Sequence, residues 1–399
     1  MPEYIAPVKE IKFTLTDVIE FSEVTALEIF QDASDDIIDA ILNEGAKFAN
    51  EVLSPINKVG DQEGAILTEN GVKTASGFKQ AYQSYSQNGW NSICANPEFG
   101  GQGLPETLGI AIMEMIDSAN MAFSLCPILS ASAIEAIETH GTDEQKSLYL
   151  EKLISGQWTG TMNLTEPQAG SDVGALTSKA HMQSDDSYLI EGQKIFITYG
   201  DHDMAENIIH LVLARLTNAP EGIRGISLFI IPKFLINQDG SLGERNDAHA
   251  VSLEHKMGIM ASPTCVMAYG EHKSCVGYLL GEENKGIQAM FTMMNNARLN
   301  IGLQGIACSE RAYQMALDYA KERLQGFSVK TKIKKAPIID HPDVRRMLMT
   351  IKATTEAARA LAYLNAKAID LGRCHPDPDV SQKYKGLADL LTPLSKAYC

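Results

Sequence analysis

Two short runs hold the residue types that could do chemistry. The first, Thr161-Met-Asn-Leu-Thr-Glu-Pro-Gln-Ala-Gly-Ser-Asp-Val-Gly174, joins a short apolar strand, a proline turn, a glycine and two polar caps. The second is Lys194-Ile-Phe-Ile-Thr-Tyr-Gly200. Strand ends that finish in a hydroxyl residue beside glycine suit a flat ligand with hydrogen-bonding edges. Short hydroxyls fix the edges, and glycine lets backbone N–H groups approach phosphate. On this reading Thr165 and Thr198 reach the ligand edge from the two strand ends. Gly170 permits close backbone approach, and Ser171 offers a hydroxyl and an N–H. Asp172 caps the turn, because a carboxylate beside an anionic ligand is repelled. Taken singly, Thr165 and Thr198 are ordinary β-formers and Phe196 is ordinary core. Both ends in this order, with the Gly-Ser-Asp turn between them, favour the ligand reading.

Other residues of interest stand apart from these runs. Arg323 lies in Lys321-Glu-Arg-Leu-Gln325; composition alone makes it a surface arginine paired with a neighbouring acid. A guanidinium also suits bidentate phosphate binding. Arg298 interrupts the apolar stretch Met290–Leu299, which argues against a purely solvated face. Pro97-Glu-Phe-Gly-Gly-Gln-Gly103 is a glycine-rich loop without the lysine or the preceding strand of a phosphate-binding loop. Glu310 and Glu322 read as exposed helix carboxylates. Lys330, Lys332, Lys334 and Lys335 read as a solvated loop, with polyanion binding as the alternative.

These residues need a scaffold, and the chain of 399 residues is long enough for two or three domains with ample core. Its 34 Lys and Arg against 50 Asp and Glu give a net charge of −16. That field repels nucleic acid and anionic membranes, so neither is expected as a partner. The seven cysteines are odd in number and dispersed, as expected of free thiols. No metal-ligand spacing is present among the histidines and cysteines. The N-terminus shows no signal or transit pattern, and a cytoplasmic location is the plain expectation.

Helical periodicity dominates from about residue 15 to 155. Asp35 and Asp36 place acids in a first turn, where the helix dipole favours them. Leu104 to Ile137 reads as a helix buried on most sides, and Thr142-Asp-Glu-Gln145 has capping-box spacing, with Gly156 as the stop beyond it. From Thr159 to about Leu280 the texture is short β-branched runs between turn residues, which predicts an antiparallel sandwich or barrel. Helix resumes over 287–325 and from Pro342 to about Leu371. The expected class is α+β multidomain: an N-terminal helical domain over 1–158, a middle β domain over 159–282 and a C-terminal helical domain over 283–399.

TMNLTEPQAGSDVG followed by GQKIFITYG resembles the acyl-CoA dehydrogenase family of FAD enzymes. GEENKG (281–286) and MMNNARLNIGLQGIACSERAYQMALDYAKERLQG (293–326) continue the likeness. It runs from PEFGGQG to beyond residue 365, and it is nearest to a larger bacterial subgroup. The resemblance implies a helical, then β, then helical fold, and FAD as cofactor. Met162, Leu164, Thr165, Gly170, Ser171, Phe196, Ile197 and Thr198 are then expected around the flavin. Arg323 and Gln325 are expected to reach a neighbouring protomer's FAD. Ser171, Asn295 and Arg298 are expected on the acyl-CoA side, although relatives often carry aspartate where Asn295 stands. The implied reaction removes two hydrogens across Cα–Cβ of an acyl-CoA thioester. Electrons pass to an electron-transfer flavoprotein, and a homodimer or homotetramer is expected.

That reaction needs a carboxylate base. In most relatives it lies downstream of the last helix readable here, and in a minority it precedes the helix arginine, where this chain has Ala297. The base is therefore expected beyond Cys399, in a chain cut short at its C-terminus. The alternatives are a non-catalytic or partner-dependent subunit that binds FAD or acyl-CoA, and an acyl-CoA oxidase or flavin monooxygenase on the same scaffold.

Overall fold

A computed structural model describes residues 4–237 and 239–399, and at Asn295 the backbone alone. Its principal helices are α1 (Asp35–Phe48), α2 (Glu106–His140), α3 (Asp143–Ile154), α4 (Gly286–Glu322), α5 (Pro342–Cys374) and α6 (Pro378–Tyr398). α1 and α3 begin where local chemistry dictates. Ser34 accepts from the Ile37 N–H at the start of α1. Thr142 and Gln145 form the full capping box of α3, and Gly156 just beyond it takes a left-handed φ of 76°. The expected long helix from Leu104 is α2, but it carries a break: Asn120 adopts φ −157°, ψ 87°, and its amide donates to Leu53 O at 3.3 Å. By length and composition α2 could cross a membrane, yet 72% of its most apolar window is buried within the protein, as in a core helix.

The chain forms two compact units, each assembled from separated segments. One comprises the chain up to Pro55 with Leu104–Met121 and Arg298–Cys399. It is helical and is held by a buried ionic cluster. Arg359 on α5 pairs with Glu114 on α2 (2.7 Å) and with Glu310 on α4 (3.0 Å), and Tyr363 donates to Glu114 at 2.7 Å. Glu310 is thus not the exposed helix carboxylate its spacing suggested, since the arginine on a helix distant in sequence draws it inside. Asp370 on α5 caps α2 from the side, accepting from the N–H groups of Glu106 and Thr107 (2.9 Å each) and from the Thr107 hydroxyl (2.6 Å).

The other unit comprises Ile56–Gly103 and Ala122–Ala297 and contains the sheet. Its strands are β1 (Trp158–Asn163), β2 (Lys179–Met182), β3 (Tyr188–Thr198), β4 (Asn207–Leu216), β5 (Ile226–Pro232), β6 (Ala248–Leu253), β7 (Thr264–Tyr269) and β8 (Val276–Leu280). Pairing runs β3-β8-β5-β4-β2 and returns to β3, which closes a small barrel; β1 extends one edge and β7-β6 another. Most strand pairs are antiparallel, as expected, with two exceptions at β4. β1 and β2 both run parallel to β4, because the chain leaves β1 through the loop 164–178 and re-enters further along the same neighbour. β4 and β5 are buried on both faces, which explains their continuous apolar runs. One face meets the interior set Tyr188, Ile197, Val212, Phe229 and Met267. The other meets Ile134, Leu150, Ile154 and Met290 from α2, α3 and α4.

Candidate functional site

The motif residues cluster where β1 ends. β1 is fixed from beneath by two buried histidines. His202 accepts from the Met204 N–H at Nδ1 (3.1 Å), so its Nε2 hydrogen faces the Thr159 hydroxyl at 2.9 Å. His210 Nδ1 lies 2.8 Å from the Thr161 hydroxyl. Burial pushes both imidazoles down to about 3, so they are neutral at physiological pH. From above, α2 approaches closely: a Cβ at Gly160 would stand 2.3 Å from the Ala133 Cβ. With Thr161 and Asn163 committed inward, strand alternation leaves Met162 on the opposite face. Met162 and Leu164 are half-buried there, against the helix-side core.

The loop beyond β1 is organised by a group the motif reading passed over, the Glu166 carboxylate. It accepts from Gln168 Nε2 (2.6 Å), from the N–H and hydroxyl of Thr177 (2.7 and 2.8 Å) and from those of Ser178 (3.1 and 2.6 Å). Its sixth donor is Lys194 on β3, at 2.8 Å, in an ion pair whose side chains are 0% and 1% exposed. Burial works to raise the Glu166 carboxyl, but the Lys194 charge and these donors outweigh it and hold it at about 2. Lys194 also donates to Leu164 O (3.1 Å), and the Ile195 N–H donates to Thr165 O (2.8 Å). Glu166-Pro-Gln-Ala169 closes as a turn with proline at its second position, bonded in both directions between Glu166 and Ala169. The signal for this pair was present in sequence: Lys194 falls on the inward parity of β3, set by Tyr188 and Ile190, where a cation requires a partner.

These ties set Thr165, half-exposed, beside the β3 segment that carries Phe196. Phe196 is not core. It is 57% exposed and holds a left-handed φ of 59° at an irregularity in the β3–β7 register. An exposed aromatic at positive φ is uncommon, and it makes this segment a candidate contact surface. Ile197 turns the other way, and its buried side chain belongs to the barrel interior, so only its backbone is available to a ligand. Thr198, half-exposed, ends β3 opposite Thr264. Gly170 and Ser171 are exposed at the loop surface, and a Cβ at Gly170 would meet nothing within 4 Å. Asp172 occupies the N-cap position of the short turn Val173–Ala175 but makes no side-chain cap bond; the backbone bond from Ala175 N–H to Asp172 O closes that turn instead.

The remaining expected residues lie elsewhere in the chain. Arg298 is half-buried on α4, and the side chain of Asn295 lies outside the described residues. Arg323 and Gln325 belong to the helical unit, are exposed, and share a hydrogen bond of 2.8 Å from the guanidinium to the amide oxygen. Gln325 O also accepts from His341 Nε2 (2.7 Å), which fixes the backbone there.

Family models cover the chain in the order of its elements: acyl-CoA dehydrogenase N-terminal domain over residues 38–157, middle domain over 161–269 and C-terminal domain over 284–386. A 3-methylmercaptopropionyl-CoA dehydrogenase from Ruegeria pomeroyi is 46% identical over 397 residues, 99% of this chain and 67% of the relative. The chain belongs to the acyl-CoA dehydrogenase family. A butyryl-CoA dehydrogenase from Syntrophomonas wolfei is 38% identical over 408 residues, 99% of this chain and 66% of that protein. This acyl-CoA dehydrogenase family member therefore spans about two thirds of the length of these relatives. An acyl-CoA dehydrogenase from Bacillus anthracis, solved in complex with FAD, shares the fold with a TM-score of 0.73 at 22% identity, covering 97% of this chain and 60% of that one.

The residues present fit a flavin. Met162, Leu164 and the exposed Phe196 ring offer apolar surface to a flat ring system. Thr165 and Thr198 supply hydroxyls at its margin, and the clear space at Gly170 admits a bulky neighbour.

Proposed function

We propose that this protein binds FAD and dehydrogenates an acyl-CoA thioester to the trans-2-enoyl-CoA, with electrons passed to an electron-transfer flavoprotein in the cytoplasm. The observation that carries the reading is the exposed, strained Phe196 held beside the Glu166-organised loop of Thr165, Gly170 and Ser171. When bound, FAD supplies the two-electron acceptor for the hydrogen leaving Cβ. The protein's part is to hold and orient. Met162, Leu164 and Phe196 pack against the ring, while the Thr165 and Thr198 hydroxyls and the Ile197 backbone fix its edge. Gly170 and Ser171 take the loop-side margin, where Ser171 presents a hydroxyl and an N–H to the thioester ligand. Arg298 and Asn295 serve the acyl-CoA side. Arg323 and Gln325, exposed and mutually bonded, hold the diphosphate and adenosine of a neighbouring protomer's FAD, in a homodimer or homotetramer.

The test is product analysis. Purified protein, FAD, a graded series of saturated acyl-CoAs and an artificial electron acceptor are combined, and the thioesters are separated by chromatography. Trans-2-enoyl-CoA formed only in the presence of FAD supports the reading. Enoyl-CoA accompanied by stoichiometric hydrogen peroxide, without need of the acceptor, indicates an oxidase instead.

A further inference from the structure

Resting on the flavin reading above, we propose that Glu166 and Lys194 are positioning residues: their buried pair is the clamp that sets where Thr165 and the 170–172 turn meet the cofactor. β1 and β2 lie along the same edge of β4, and the chain between them leaves the sheet at Leu164 and returns at Lys179. A loop of that kind has no ladder of its own. Six donors converge on one carboxylate, from Thr177 and Ser178 at the loop's far end, Gln168 nearer its start and Lys194 on the neighbouring strand, while Arg215 on β4 separately holds Gly174 O at 3.0 Å. Lys194 is the one donor to the carboxylate that comes from outside the loop. It grips both Leu164 O and Glu166 Oε1, the residues that flank Thr165. The Ile195 N–H, next along β3, holds Thr165 O itself. Phe196 follows immediately, so one dipeptide step of β3 registers the threonine against the exposed ring.

The two partners are unequal, which makes the clamp testable. Without Lys194, Glu166 keeps the donors from Gln168, Thr177 and Ser178, so Lys194→Met should fold with the loop's internal bonds intact and its tie to β3 weakened. Without a charged Glu166, as in Glu166→Gln, an amide oxygen still accepts from some of these groups. The expected result is a rise in the FAD dissociation constant of about tenfold for each variant, the equivalent of about one lost hydrogen bond to the cofactor. The visible bands of the bound flavin should also shift, since the ring edge would meet a displaced Thr165.

The measurements are FAD titration of flavin-free wild type, K194M and E166Q by flavin fluorescence, visible spectra of the loaded proteins, and circular dichroism melts of the flavin-free forms. A folded K194M with wild-type FAD affinity and an unchanged flavin spectrum overturns the clamp and leaves the functional reading standing. A wild-type protein that takes up no FAD overturns the functional reading itself. If neither variant folds, the pair is a determinant of folding rather than of cofactor position, and the proposal is wrong.

Discussion

Replacing Glu166 by glutamine should remove a pH-dependent part of the stability that can be calculated in advance. The carboxyl sits at about 2 in the folded protein against an ordinary value of 4.5. A group with a depressed folded pKa stabilises the native state fully above its unfolded pKa, and loses that contribution as pH falls toward the folded one. For these two values linkage gives about 3 kcal/mol at pH 6, of which about 2 kcal/mol is gone by pH 3. Glu166→Gln leaves the Lys194 ammonium buried with weaker partners, which adds a further penalty. Burial also works to lower the Lys194 ammonium below its ordinary value, and Glu166 opposes that shift. Urea unfolding of flavin-free wild type and E166Q at pH 6, 4.5 and 3 should show the stability gap closing by about 2 kcal/mol. Parallel curves would refute the reasoning, because they would mean that Glu166 has the same proton affinity folded and unfolded.

Other consequences follow from the same structure. His202 and His210, neutral when folded, should each make the native state about 2 kcal/mol less stable between pH 7 and pH 5, since only the unfolded chain takes up their protons; His210→Asn should flatten that slope in a pH series of melts. Arg359→Met strands Glu114 and Glu310 together in the helical unit and should destabilise by about 3–5 kcal/mol, read as a lowered urea midpoint. Asp370→Ala removes the acceptor for two N–H groups and one hydroxyl at the start of α2 and should lower stability by about 1–3 kcal/mol without changing FAD affinity. Arg323→Met should weaken FAD retention while the melting temperature of the flavin-free protein stays within a degree or two of wild type, since an exposed side chain contributes little to folding.

Much of the fold was readable because its signals are local. The capping box at Thr142, the acids at Asp35 and Asp36 and the stop at Gly156 act within a single turn of helix, and each appears where the sequence indicated. The order of helical, β and helical segments follows from periodicity in the same way. What escaped depends on partners far away in the chain. Glu310 looks like any exposed helix acid until Arg359, 49 residues later, is brought against it. The parallel placement of β1 and β2 beside β4 is a decision of topology, not of strand propensity. Lys194 reads as strand filler unless its inward parity is followed to Glu166, 28 residues earlier. Phe196 taken singly reads as core because an aromatic in a β-run usually is; its left-handed φ and exposure reverse that, and no propensity reports a φ. The site motif itself was legible as a cluster of residue types, whereas the clamp that gives it shape is a tertiary property.

The central claim, a flavin held on Thr165, Gly170, Ser171 and Phe196 and turned over by a thioester, is tested most directly by anaerobic spectroscopy. Purified protein loaded with FAD is titrated with saturated acyl-CoAs while the flavin absorbance is followed. The account predicts a protein-bound flavin spectrum that bleaches on addition of a suitable acyl-CoA and recovers with an electron acceptor. A folded protein that takes up no FAD would contradict the flavin site, and a bound flavin that no acyl-CoA bleaches would contradict turnover by these 399 residues while leaving the flavin site standing.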